Sequence, residues 1–462
     1  MAAILEVINP ATEEVFTRLE QTSAEQIEHI LAKARQAARQ WRRAPLTERV
    51  AVTRRFLDAF TDQSEAIAAE LTAQMGKPIT QSRREIQTMR ARAEYMAEVA
   101  ADALADVVIT DGPGEHKRIT REPLGVVLDV AAWNYPLLIA VNVVVPAILA
   151  GNAVVLKHSS LTPLCGLRFE QAYRRAGLLP DGLMTAIVAD RTHAEPLLRS
   201  PFVDAVFFTG SVEGGRSVYQ TVSSRLIDVG LELGGKDPAY VRADADLATV
   251  VPHVADACFY NAGQSCCAVE RIYVHGSIYH RFLESMVREV SGYHLGDPTD
   301  PQTYLGPLAL AKTIRTMNRQ IDEAVHRGAH VLCGGRATSV NGRGRYYEAT
   351  IVADCTNDMG IMQEENFGPI VGVMPVQDDE QAVRLMNDSR YGLTASIWTR
   401  DVATGRKIAE SVEAGTVFVN RADYLDPALA WVGIKESGKG CTLSHLGYQY
   451  LTRPKSYYAR SL

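Results

Sequence analysis

A chain of 462 residues, 47% of them hydrophobic, is too long for a single core and long enough for two or three domains. The formal net charge of −6, with both signs interspersed, leaves no broad cationic face, so nucleic acid is excluded as an expected partner. The longest apolar run, 137–150, is broken by Asn142 and Pro146 and falls short of the roughly 20 residues that span a bilayer, so no membrane partner is expected either.

The first residues, Met1 to Leu5, lead straight into Glu6 and Asn9-Pro10 with no basic stretch or small-residue cleavage site, and the expected location is the cytoplasm. From 23 to about 105, apolar residues recur at three and four with Arg or Glu between them, which predicts a layer of amphipathic helices. Beyond the polar segment 111–116, β-rich runs at 125–130, 153–156 and 203–208 alternate with helical stretches, the pattern of an open parallel sheet. The alternation resumes after Gly234-Gly235, with strands expected at 238–241, 271–274, 370–374 and 416–419, and predicts a second α/β domain. The last residues, 448–462, mix β-formers with Arg and Lys and suit a terminal strand that pairs elsewhere. Seven scattered cysteines form no disulfide-like framework, and no CxxC pair or histidine cluster suggests a metal.

Four local patterns carry chemistry. In Asn261-Ala-Gly-Gln-Ser-Cys266-Cys267, backbone N–H groups near Cys266 can stabilise a thiolate, although a free cysteine also serves as a small buried hydrophobe. In Leu231-Glu232-Leu233-Gly234-Gly235-Lys236, an acid among leucines has the raised pKa a general base needs; the plainer alternative pairs Glu232 with Lys236 or another cation. In Trp133-Asn134-Tyr135-Pro136 an amide stands just beyond a strand terminus, where open α/β sheets bind ligands, and where an Asn-Pro turn is equally at home. Thr209-Gly210-Ser211-Val212-Glu213-Gly214-Gly215 reads as a strand running into a helix start, a natural phosphate site, or else as a surface turn, since it is not a GxGxxG fingerprint.

In order, these pieces resemble the aldehyde dehydrogenase superfamily, from Asn9-Pro10-Ala-Thr-Glu13 to Lys435-Glu-Ser-Gly-Lys-Gly440, with Lys157 and Glu365-Asn-Phe367-Gly-Pro369 in the family's places. The resemblance implies an α/β fold with a Rossmann-type cofactor domain (1–108 and 125–235), an α/β catalytic domain (236–440) and a small β oligomerisation arm (109–124 and 448–462). It implies Cys266 as nucleophile, Glu232 as the base that activates water, and Asn134 as oxyanion donor. NAD or NADP would touch Trp133, Lys157, Ser160, Gly210, Ser211, Gly215, Leu233, Glu365 and Phe367. The presence of Glu232 implies hydrolysis of the thioester rather than transfer to coenzyme A. A homodimer or homotetramer follows by analogy.

The departures bear on specificity. Ser160 stands where many NAD-preferring members carry a glutamate that repels a 2′-phosphate, so use of both cofactors is expected, and Val188-Ala-Asp190-Arg191 replaces a glycine-rich stretch near the adenine. Tyr260 and Asn142 stand where semialdehyde-oxidising members commonly carry arginines. Tyr135, Tyr260 and Trp431 are then expected to line the substrate tunnel with Asp423 at its mouth, which suits an apolar, aromatic or amino aldehyde. The alternative is a succinate semialdehyde-like substrate, with Arg421 as its anchor. Cys267 is expected to pack beside Cys266, a disulfide between neighbours being strained. A catalytically silent scaffold and a redox-free thioester or ester hydrolase are the rival functions; intact Cys266, Glu232 and Asn134 oppose the first, and Lys157, Ser211, Glu365 and Phe367 oppose the second.

Overall fold

The computed structural model describes residues 3–177 and 180–461; Met1, from which the N-terminal reading starts, and Leu462, the end of the expected tail strand, lie outside them. The first layer is four helices, Ala24–Trp41, Leu46–Thr61, Ser64–Met75 and Ile79–Ala103. The first begins with a reciprocal cap: Ser23 Oγ accepts from the Gln26 N–H and the Gln26 side chain accepts from the Ser23 N–H. Ile27, Leu31, Ala34, Ala38 and Trp41 then recur on its buried face.

These helices pack over a sheet whose order is Gly438–Lys439, Asp228–Glu232, Ala205–Thr209, Val126–Ala131, Ala153–His158, Met184–Ile187. All but the two-residue edge strand are parallel. The chain builds outward from Val126–Ala131 to one edge and then crosses to Ala205–Thr209 on its other side, so the strand order reverses there; open α/β sheets bind ligands at such a reversal. The helix Pro136–Ala150 is buried at every residue, which accounts for the apolar run: it is an interior helix with Pro146 inside it.

After Gly235 the chain enters a second sheet of seven strands, ordered His330–Cys333, Thr350–Ala353, Ile370–Val376, Val269–His275, Asp237–Val241, Thr394–Trp398, Thr416–Val419. The expected strands at 238–241, 271–274 and 370–374 each run one to two residues longer at one or both ends, because buried neighbours on both sides extend the ladder. The stretch assigned to the catalytic domain crosses back before residue 440: Gly438 pairs with Glu232, and Trp431 belongs to the core of the first sheet. The strands Val107–Gly112, Glu115–Pro123 and Thr452–Arg460 form a separate three-stranded antiparallel sheet. The tail strand starts later than 448 because Tyr448–Tyr450 form a turn of 3₁₀ helix, with the Tyr448 hydroxyl donating to the Met96 carbonyl.

Candidate active site

Four loops converge at the carboxyl ends of the first sheet. The strand Val126–Ala131 delivers Trp133, Asn134 and Tyr135, and Asp228–Glu232 delivers Glu232 and Leu233. From the second unit come 261–267, after the helix Leu247–Phe259, and 365–368, before the strand Ile370–Val376.

Steric fit brings them together. A Cβ on Gly235 would collide with the Cys266 carbonyl, so the glycine turn after Glu232 lies against the cysteine loop. Asn261, Ala262 and Gly263 all have left-handed backbone angles (φ 54, 53 and 68°), a conformation costly for the two non-glycine residues. Hydrogen bonds hold it: the Asn261 N–H donates to Gln81 Oε1 (3.0 Å), and Asn261 Nδ2 donates to the carbonyls of Asn134 (3.0 Å) and Gln264 (3.1 Å). Cys266 is half-buried and Cys267 buried, both as free thiols. The Cys267 thiol donates to Asp423 (3.0 Å), which also accepts from the Ser265 hydroxyl (3.0 Å). The hydrogen bond to Cys266, burial and Asp423 all push the Cys267 thiol well up, leaving Cys266 as the accessible member of the pair.

Burial raises Glu232 to about 7, against the pull of the Thr442 hydroxyl, the Arg92 charge, the Trp431 indole and the Thr209 hydroxyl. Lys236 does not pair with it. The Lys236 ammonium bonds Glu270 (2.7 Å), both side chains being buried, and Glu270 accepts from the N–H groups of Asn366 and Phe367 (2.9 Å each). That pair fixes the turn presenting Glu365, whose carboxyl accepts from the Gly235 N–H (3.1 Å) and is raised by burial, then by Glu270, to about 8. Phe367 meets Trp133 edge-on, ring centroids 5.5 Å apart.

Toward the first sheet, Lys157 is 7% exposed at the end of Ala153–His158, and burial lowers its ammonium to about 8. Ser160 is half-buried in the following loop. Ser211 caps the helix Val212–Val222, its hydroxyl accepting from the Gly214 N–H (3.1 Å). A Cβ on Gly215 would press into Leu233, so only glycine lets this helix start close to the Glu232 strand. An ammonium with no ion-pair partner among the described residues and a helix N-terminus with free N–H groups make a donor set that fits a dinucleotide.

The expected tunnel rings divide. Tyr260 is half-buried. Tyr135 offers its face to the Lys77 ammonium, 4.0 Å from the ring centroid. Trp431 is 4% exposed, its backbone bridged in both directions to Thr442, whose hydroxyl donates to Glu232. Arg421 is exposed and stacks on Tyr424 (3.4 Å), spending its charge at the surface.

Three side chains escaped the sequence reading. Lys77 and Glu85 form a buried ion pair; Lys77 also donates to the Asn134 carbonyl (2.9 Å) and Glu85 accepts from the Leu137 N–H (2.9 Å). Arg92 is buried beside Asn142. A signal existed: Ser82, Glu85, Met89, Arg92 and Met96 fall on one helical face, so two charges occupy the phase of the buried residues. Among the described residues no group of three or more His, Cys, Asp or Glu is placed to hold a metal, and no helix is long and apolar enough to cross a membrane.

The aldehyde dehydrogenase family matches residues 2–457. A succinate-semialdehyde dehydrogenase [NADP(+)] of Mycobacterium ulcerans (strain Agy99) is 36% identical over 95% of this chain and 96% of its own. The solved aldehyde dehydrogenase KauB from Pseudomonas aeruginosa superposes with a TM-score of 0.96 at 31% identity, covering 99% of this chain and 94% of its own. Betaine aldehyde dehydrogenase from Staphylococcus aureus, solved with NAD+, gives 0.94 at 29% identity, covering 99% and 92%. With these matches, the doubly wound sheet with a half-buried free cysteine and a raised acid near its carboxyl edge is that of an oxidoreductase of the nucleotide-dependent kind. The chain belongs to the aldehyde dehydrogenase family.

Proposed function

We propose that this protein oxidises an aldehyde to its carboxylic acid with NAD or NADP, with Cys266 as nucleophile and Glu232 as base. The observation that supports the assignment is the contact of the Cys266 loop backbone with the glycine turn that follows Glu232: the loop with a half-exposed thiol and the strand end with a carboxyl raised to about 7 meet at one edge of the first sheet. Lys157, Ser160 and the Ser211-capped helix would hold the adenosine and pyrophosphate, and Trp133, Leu233, Glu365 and Phe367 the nicotinamide half; when bound, the nucleotide supplies the acceptor for the aldehyde's hydride.

The Cys266 thiolate adds to the carbonyl carbon, and the Asn134 amide with the Cys266 N–H stabilises the oxyanion. Loss of hydride leaves a thioester on Cys266. Glu232, ionised above pH 7, takes a proton from water; the resulting attack expels the Cys266 thiolate and frees the acid. Ser160 carries no charge to repel a 2′-phosphate, which supports use of both nucleotides. The protein is read as cytoplasmic, and the sheet of 107–112, 115–123 and 452–460 as the arm of a homodimer or homotetramer; mass measurement in solution tests the latter.

For the substrate, the occupied face of Tyr135 and the engaged indole of Trp431 weigh against a cage for an ammonium group. The M. ulcerans relative is named for succinate semialdehyde, which favours an aldehyde with a carboxylate tail. The test is reduced-nucleotide formation across aliphatic, aromatic, amino and carboxylate-bearing aldehydes. Cys266→Ala is expected to lower turnover by at least about 10³-fold; full activity in that variant would end the assignment.

A further inference from the structure

Arg92 is 5% exposed on the helix Ile79–Ala103. Its one hydrogen bond among the described residues runs from Nη1 to Asn142 Oδ1 (3.2 Å), and its Nε is buried with no partner. A guanidinium keeps its proton in proteins, so this is a buried positive charge without a paired anion. Its partner Asn142 lies on the helix Pro136–Ala150, which begins directly after the Asn134-Tyr135 turn of the site; burial presses the guanidinium's pKa down, against the charges of Cys267, Glu85, Glu232 and Tyr424.

The neighbouring carboxyls are occupied. Glu85 is neutralised by Lys77 and accepts from the Leu137 N–H; Glu232 accepts from the Thr442 hydroxyl and feels the Arg92 charge without forming an ion pair with it. Asp423 takes the Ser265 hydroxyl and the Cys267 thiol. Desolvating a guanidinium is costly unless an anion meets it, and a fork with unused N–H groups suits a carboxylate.

We propose that Arg92, steadied by Asn142, is the anchor for the carboxylate of a straight-chain aldehyde that carries an acid at its far end. The inference rests on Cys266 as the site of reaction. It gives the chain an anion subsite on a helix of the first layer, although Tyr260 and Asn142 stand where arginines were sought in the sequence.

The test compares succinic and glutaric semialdehydes with butanal and pentanal in wild type, Arg92→Met and Arg92→Lys. Wild type is expected to prefer the acid-bearing member of each pair. Arg92→Met is expected to cut that preference about 10- to 100-fold, the size of a charged hydrogen-bonded contact, in the KM of the acid-bearing aldehyde; the lost pull on Glu232 lowers kcat for both members of a pair alike and leaves the preference unchanged. Arg92→Lys, which keeps the charge without the fork, is expected to recover part of it. Succinate should compete with aldehyde for wild type more strongly than succinamide does, a readout that stands even if Arg92→Met fails to fold. Equal treatment of acid and neutral aldehydes by wild type, or an equal loss on both in Arg92→Met, overturns the anchor and leaves the oxidation standing. Oxidation of no aldehyde at all overturns both.

Discussion

Two buried lysine–glutamate pairs brace the site from opposite sides. Lys77–Glu85 lies in the helical layer, and each partner spends its remaining capacity on the turn bearing Asn134: the lysine on the Asn134 carbonyl, the glutamate on the Leu137 N–H. Lys236–Glu270 lies between the second-sheet strands, and Glu270 holds the turn bearing Glu365 and Phe367 through two N–H groups. The chemistry is the same and the loops differ: on the proposed function, one pair sets the side on which the aldehyde would react, the other the side on which the nicotinamide ribose would rest. A buried ion pair is weak evidence of net stability, because desolvation offsets attraction. Here both pairs organise loops.

The largest expected effect comes from breaking the first pair. Lys77→Met leaves Glu85 uncompensated in the core and should cost about 3–5 kcal/mol in denaturant unfolding. Turnover at saturating nucleotide should fall at least about tenfold, since the Asn134 turn loses a donor. Adding Glu85→Leu should return much of the stability and little of the turnover; recovery of both would mean that the pair only stabilises. Glu270→Gln also leaves a buried charge, Lys236, without its anion but keeps one oxygen acceptor, so it should fall at the lower end, about 3 kcal/mol. Its kinetic loss should appear in the KM for nucleotide, and a loss confined to kcat would dissolve the contrast between the two sides.

Smaller effects sharpen the same division. On the reaction side, Glu232 is a base only when ionised, so turnover should rise through a midpoint near its value of about 7. Donors favour the ionised form; Thr442→Val removes one and should move this limb to higher pH, lowering turnover a few-fold at pH 6.5. An unmoved pH profile would detach Thr442 from the base. On the nucleotide side, Ser160→Glu should lower kcat/KM for NADP about tenfold and change that for NAD by less than about threefold; equal changes for both would place residue 160 away from the ribose.

Much of this was legible before any coordinates. The helices of 23–105 and most strands announced themselves because one buried face imposes a period of 3.6 or 2 on the residues that form it. The motif loops were legible in order, since an acid followed by Gly-Gly and an amide before Tyr-Pro are local patterns. Their partners were not. Lys236 stands four residues after Glu232, yet it bonds Glu270, because the Gly234-Gly235 turn separates the two and the strand Asp237–Val241, which starts directly after the lysine, carries it into the second unit. Glu232 likewise accepts from the Thr442 hydroxyl, 210 residues on in the chain, a partner no local pattern names.

By itself, then, the sequence determined the α/β alternation, the family resemblance and the order of the reactive residues, all written in neighbours along the chain. Tertiary structure alone decided which buried charges are matched and which are left without an ion pair among the described residues. Lys77 found Glu85, Lys236 found Glu270, and Arg92 found only an amide. The physical reason is that a charge's partner is set by which helix faces and strand ends pack together, and the low dielectric they create makes each pairing, or its absence, count.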